Sequence, residues 1–224
     1  MRDWKTTRRR LRYPAFLGTA RRTTPFSRHW GRDRGTPVDR YFIDLFLAAH
    51  RGDIRGHVLE VMDDRYTRRF GSEVTESDVL DIVATAQASV VGDLSSPSSL
   101  PADRYDCFIS TQTLQFVSDP FAAAQSCHRL LRPGGVLLLT APSVSSLDAA
   151  SLDSGEYWRF TRDGISRVLG SAFGEDRVEV TAYGNVLTCI SFLLGMAQEE
   201  LSQRELDAFD PAFPLLVAAR AVKT

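Results

Sequence analysis

A chain of 224 residues with 43% apolar content is long enough for one enzyme-sized domain plus appendages and can supply a sizeable core. No run approaches the roughly 18 uninterrupted apolar residues of a membrane span, and the N-terminus carries arginines without the apolar stretch of a secretory signal, so no membrane partner is expected and a cytoplasmic location is. The net charge of −1 hides an asymmetry: residues 1–34 hold eleven Lys or Arg against Asp3 and Asp33, a local charge of +9, which leaves −10 on the remainder. Such an arm could track a phosphate backbone, cover an anionic ligand, or lie against the acidic body of its own or a neighbouring subunit. Nucleic acid is disfavoured, because no recognition motif or aromatic-basic platform accompanies the charge. Cys107, Cys127 and Cys189 are odd in number, sit in apolar surroundings and lack paired metal-type spacing, so they read as buried reduced thiols and no metal site is expected.

Residues 1–36 lack sustained periodicity and contain Pro14, Gly18, Pro25, Gly31 and Gly35, which makes them a basic N-terminal arm ahead of a body spanning 37–224. Thr36 and Pro37 suit the cap and first position of a helix that carries Tyr41, Ile43, Leu45, Phe46 and Leu47 on a broad face and ends near Gly52. Val58 to Met62 is a short apolar run of the kind buried in a parallel sheet, followed by Asp63-Asp64. Weaker strands are expected at about 73–78 and 88–92, then a Ser- and Pro-rich loop over 95–101. A strand at about 106–110, a helix over 120–131 and a strand at 135–140 come next. Thr161 caps a helix to about Phe173, Arg177 to Ala182 alternates like a strand, a long apolar helix runs from Val186 to Leu201, and 215–222 forms a last strand inside the sheet. That long helix could also serve as a homodimer face.

Alternating strands and helices imply a mostly parallel sheet covered on both faces, with ligands at the carboxyl ends of the strands near the switch in strand order. The positions after the first four strands are therefore the ones to inspect. Asp78 lies eighteen residues after Glu60, near the spacing at which a second-strand acid meets a ribose, and Asp93 with Leu94 follows the third strand, where an acid could hold an adenine amino group.

The stretch Tyr105 to Ala141 resembles the carboxy half of a class I S-adenosylmethionine-dependent methyltransferase: a strand ending in Ile109-Ser110-Thr111-Gln112, a helix opened by Asp119-Pro120, and the turn Leu130-Leu131-Arg132-Pro133-Gly134-Gly135-Val136. The likeness spans about 56–222. It implies a Rossmann-like three-layer α/β/α fold, a seven-stranded mostly parallel sheet with an antiparallel last strand, and S-adenosylmethionine as cofactor. It also implies Glu60 as the family's acid, Met62 and Asp63 as the turn after the first strand, and Thr111 and Gln112 beside the methionine part of the cofactor. Tyr157-Trp158-Arg159 matches a segment bordering the acceptor pocket, where aromatic faces and a guanidinium could bind a sugar, a ring or a carboxylate. One departure stands out: Glu60-Val61-Met62-Asp63-Asp64-Arg65-Tyr66 has no glycine before Gly71, where family members usually carry Gly-x-Gly. Asp64 to Phe70 resembles a glycine-poor subgroup often encoded near glycosyltransferase and natural-product genes.

Methyl transfer needs alignment and exclusion of water more than protein chemistry, and no histidine here is placed as a general base. The expected activity is methylation of a small-molecule biosynthetic intermediate, on oxygen first and on nitrogen second. The alternative is a protein of the same fold that binds a partner or catalyses another reaction, such as cyclisation, in the old pocket.

Overall fold

In the computed structural model, which describes residues 18–148 and 155–224, the central strands are buried because both of their faces carry apolar side chains. These are β1 (Gly56–Val61), β4 (Tyr105–Thr111) and β5 (Leu131–Pro142). They join β2 (Val74–Asp81), the two-residue β3 (Val90–Val91), β6 (Val178–Tyr183) and β7 (Leu216–Val222) in one seven-stranded sheet ordered β3-β2-β1-β4-β5-β7-β6. All pairings are parallel except those of β7, which runs antiparallel between β5 and β6.

The period of two along each strand divides the core. Val58, Cys107, Ile109 and Leu138 face α1 (Val38–Ala49) and α5 (Val186–Leu194), whereas Leu59, Phe108, Leu137 and Leu139 face α3 (Pro120–Leu130) and α4 (Arg162–Phe173). Each large side chain sealed in this way contributes about 1.5–3 kcal/mol. The three cysteines are unpaired and buried, and burial raises the Cys127 thiol to about 12 against a backbone hydrogen bond that lowers it. No helix among the described residues is long and apolar enough to cross a membrane.

Several local expectations need correcting. The helix expected over 186–201 stops at Leu194, because Gly195 takes a left-handed φ of 69° and turns the chain. A Cβ there would lie 2.2 Å from the Ser27 carbonyl oxygen, so glycine also permits the arm to approach. Phe26 N–H donates to the Leu194 carbonyl at 2.7 Å, Gln198 N–H to Thr36 at 2.7 Å, and Arg34 pairs with Glu200. Residues 26–37 thus lie along 194–200 of the same chain. The start of the expected arm, with Arg8-Arg9-Arg10, falls outside the described residues. Thr36 does not cap α1: Pro37 occupies the cap position without a side-chain bond, and the Thr36 N–H donates to Glu199. Two short helices were not anticipated, α2 (Arg65–Phe70) and α6 (Gln203–Asp207).

Candidate active site

The strand order reverses between β1 and β4, and a crevice opens beyond their carboxyl ends. Each of these strands is followed by a non-glycine residue with positive φ: Met62 at 71° and Gln112 at 51°. A left-handed residue with a Cβ costs roughly 1–2 kcal/mol, so the backbone here is strained where the crevice needs a sharp exit. Both N–H groups reach the neighbouring strand, Met62 donating to Leu80 and Gln112 to Thr140, each at 2.9 Å.

Met62, Gln112, Val61 and Phe116 line two adjoining clefts and form the partition between them. The wider cleft, about 490 Å³, runs over the ends of β2 and β3, past Asp81, Ile82, Asp93 and Leu94, to Tyr157. The narrower one, about 280 Å³, is closed by Trp30 and Arg32 of the arm, by Asp39 and Arg40 of α1, and by Asp63 and Gln115.

The residues expected at the site separate into two groups. Met62, Asp63, Asp93, Leu94, Thr111, Gln112 and Tyr157 line one cleft or both. Asp93 is further oriented by the Ser95 N–H at 2.7 Å. Asp63 is held by Arg65, whose hydrogen bond keeps its carboxyl below the usual range.

Glu60, Asp78, Trp158 and Arg159 line neither cleft. Glu60 is buried at the end of β1 and turns back onto α2, accepting from Tyr66 N–H at 3.1 Å and from Thr67 N–H and Oγ1 at 2.8 Å. Burial raises its carboxyl to about 7 against the pull of those bonds. The acid and the helix start thereby use up each other's polar groups, in the loop where family members place glycines.

Asp78, the acid expected at a ribose, lies away from both clefts. It sits within β2 opposite Leu59, and its carboxylate meets His57 Nε2 at 2.9 Å, Ser89 Oγ at 2.7 Å, Arg104 at 2.8 Å and the Tyr105 hydroxyl at 3.1 Å. Burial opposes its ionisation, yet these partners hold its carboxyl below the usual range. The strand continues three residues further, so Asp81 is the acid of β2 that reaches the wider cleft. Trp158 donates its indole N–H to the Val117 carbonyl at 2.9 Å, and Arg159 is tied to Glu156 at 2.7 Å and to the Ser146 carbonyl at 3.0 Å. Both side chains are spent on fastening the loop after β5. Asn185 caps α5, its Oδ1 accepting from the N–H groups of Leu187 and Thr188.

Asp81, Asp39 and Gln115 also line the clefts, although they were not among the residues expected there. The apolar pair Val79-Leu80 beyond Asp78 was a signal that β2 had not yet ended. Asp39, within an otherwise apolar helix face, was another.

Comparison with known proteins agrees with this geometry. Residues 53–139 match the family model described as a methyltransferase domain. No curated protein matches the sequence. Among solved structures, a S-adenosylmethionine-dependent methyltransferase from Archaeoglobus fulgidus is similar at 16% identity and a TM-score of 0.52, covering 82% of this chain and 94% of that one. A counterpart from Mesorhizobium loti is similar at 17% and 0.53, covering 83% and 100%. The [4+2]-cyclase SpnF is similar at 17% and 0.53, covering 85% and 83%. At these identities the structures establish the fold alone. Residues 53–139 thus match a methyltransferase domain within a sheet ordered as in the Rossmann-like methyltransferase fold, and S-adenosylmethionine is the cofactor that this domain implies.

Proposed function

We propose that the chain transfers a methyl group from S-adenosylmethionine to a small-molecule biosynthetic intermediate, on oxygen in the first instance and on nitrogen in the second. The observation that carries this reading is the pair of clefts meeting at the Met62–Gln112 partition, beyond the carboxyl ends of β1 and β4. The wider cleft fits a nucleoside: Asp81 offers a carboxylate for ribose hydroxyls, while Asp93 offers one acceptor and Leu94 and Ile82 apolar surface for a base. When bound, the cofactor supplies an activated methyl group and its own leaving group. Met62, Thr111 and Gln112 then position the reacting end at the partition, and residues of the narrower cleft orient the acceptor and exclude water.

The division into a basic arm over 1–36 and a methyltransferase unit over 37–224 belongs to the same reading, with Trp30 and Arg32 of the arm as a wall of the acceptor cleft. The buried unpaired thiols fit a reducing compartment, and a cytoplasmic location goes with them.

A second reading, of a fold that binds ligand without methyl transfer, is favoured by one observation. Met62 is exposed and left-handed in the loop where the family usually carries glycines, so a side chain stands where backbone would approach a cofactor. The cyclase among the structural neighbours is the kind of activity that reading would allow.

Calorimetric titration of the full chain with S-adenosylmethionine and S-adenosylhomocysteine separates the two readings. Micromolar affinity for both is expected. No binding by a folded, ligand-free sample would overturn the methyltransferase reading in favour of the second.

A further inference from the structure

Two buried side chains in the narrower cleft each keep one acceptor atom without a hydrogen-bond partner. Asp39, in the first turn of α1, is only 7% exposed, and its Oδ1 has no hydrogen-bond partner. The Arg40 Nε lies 3.9 Å away, beyond hydrogen-bonding length, and Arg40 instead donates from Nη1 to the Tyr66 hydroxyl at 3.0 Å. Gln115, in the turn after β4, is 5% exposed. Its Nε2 donates to the Gln112 carbonyl at 2.8 Å, which settles the orientation of the amide and leaves Oε1 as the buried atom without a partner. Of the five buried side-chain polar atoms so stranded among the described residues, only these two line a common cleft with the Met62–Gln112 partition. Stranded acceptors disfavour a fold unless something at the site brings donors to them. The walls around this pair include Trp30, Tyr66, Phe116 and Phe192, flat or apolar surfaces suited to a ring.

We propose that Asp39 and Gln115 hold the donor-bearing end of the methyl acceptor, a small hydroxylated ring, with Asp39 taking the proton of the hydroxyl that is methylated. The inference rests on the methyltransferase reading above. The hydroxyl oxygen forms the new bond to the methyl carbon, the carbon–sulfur bond breaks with its electron pair passing to sulfur, and the hydroxyl proton moves to Oδ1 of Asp39, from which water later removes it. Gln115 Oε1 accepts from a second hydroxyl and sets the ring's orientation. Burial raises the Asp39 carboxyl above the usual carboxylate range, against the guanidinium groups of Arg40 and Arg32, which makes it a stronger proton acceptor than a solvated aspartate.

The test uses the full chain saturated with S-adenosylhomocysteine, with ligand-detected NMR titration of two probes: catechol, a ring with two hydroxyl donors, and anisole, a similar ring with none. Catechol is expected to bind the unaltered chain about tenfold or more tightly than anisole. Asp39→Asn and Gln115→Leu are each expected to weaken catechol by about tenfold or more; Asp39→Asn leaves S-adenosylhomocysteine affinity and the thermal midpoint essentially unchanged, whereas Gln115→Leu also loses the Nε2 bond to the Gln112 carbonyl and lowers the midpoint. Equal binding of the two rings, no catechol binding, or catechol affinity indifferent to both substitutions overturns the proposal. The comparison of the two rings needs no variant, so a misfolded variant does not remove the test. Failure of the unaltered chain to bind S-adenosylhomocysteine would instead bring down the cofactor reading itself.

Discussion

The two clefts on either side of the Met62–Gln112 partition are built by different means. The wider one is made from strand ends and the residues just after them, Asp81, Asp93 and Leu94 among them, so its wall follows directly from the sheet order. The narrower one gathers Trp30 and Arg32 from the arm, Asp39 from α1, Gln115 from a turn and Phe192 from α5, segments far apart in sequence. In the wider cleft Asp93 has a local partner in the Ser95 N–H, whereas the narrower cleft leaves two buried acceptors without any. On the proposed assignment, the cofactor cleft is a property of the fold, while the acceptor cleft is a property of what this particular chain lays over the fold.

The sharpest way to break that comparison is at the two acids of β2. Asp78→Ala strands His57, Ser89, Arg104 and Tyr105 together and is expected to lower unfolding free energy by about 2–4 kcal/mol in urea denaturation, with cofactor affinity changed far less. If it abolished binding in a fully stable protein, the wider cleft would be misassigned.

Glu60, beneath the partition, gives the next largest effect. Its carboxyl stands at about 7 against an ordinary value of 4.5, so between those values the folded chain keeps a proton that the unfolded chain has released. Its contribution to stability is therefore greatest below about pH 4.5 and falls as pH rises towards 7, by at most about 3 kcal/mol. Comparing Glu60→Gln with the unaltered chain at pH 5 and pH 7.5 should show a smaller loss in the variant; parallel losses would refute the assignment.

Asp81→Ala should do the opposite of Asp78→Ala. Its melting temperature is expected to stay within a degree or two, while affinity for S-adenosylhomocysteine drops by about ten- to a hundredfold, the worth of lost charge-assisted hydrogen bonds. The smallest effect belongs to the partition: Met62→Gly removes the left-handed penalty at an exposed side chain and should stabilise the fold by up to about 1 kcal/mol. A destabilised glycine variant would mean that the Met62 side chain packs in a way its exposure does not suggest.

Much of the sheet was legible in the sequence because parallel central strands are apolar on both faces and announce themselves as short runs, as at Val58–Met62 and Val136–Thr140. Strand ends were less so. Asp78 satisfied the ribose spacing, but that rule counts residues and does not know how long a strand stays paired; the pairing of Leu80 with Val90 and of Asp81 with Val91 carried β2 past it. Trp158 and Arg159 were ambiguous for a related reason, since aromatic and guanidinium groups serve equally to bind ligands and to fasten a loop, and here the carbonyls of Val117 and Ser146 take up their N–H groups.

The sequence by itself determined the alternation of strands and helices, the Pro-Gly-Gly reversal, the buried thiols and the glycine-free loop after β1, because each depends on local periodicity, turn chemistry or composition. Only the tertiary structure decided which acids line a cleft, that Glu60 would be spent on α2, and that Asp39 and Gln115 would meet in one cleft. Those outcomes depend on which groups become neighbours when distant segments pack, and a buried carboxylate acquires its role from the donors that reach it.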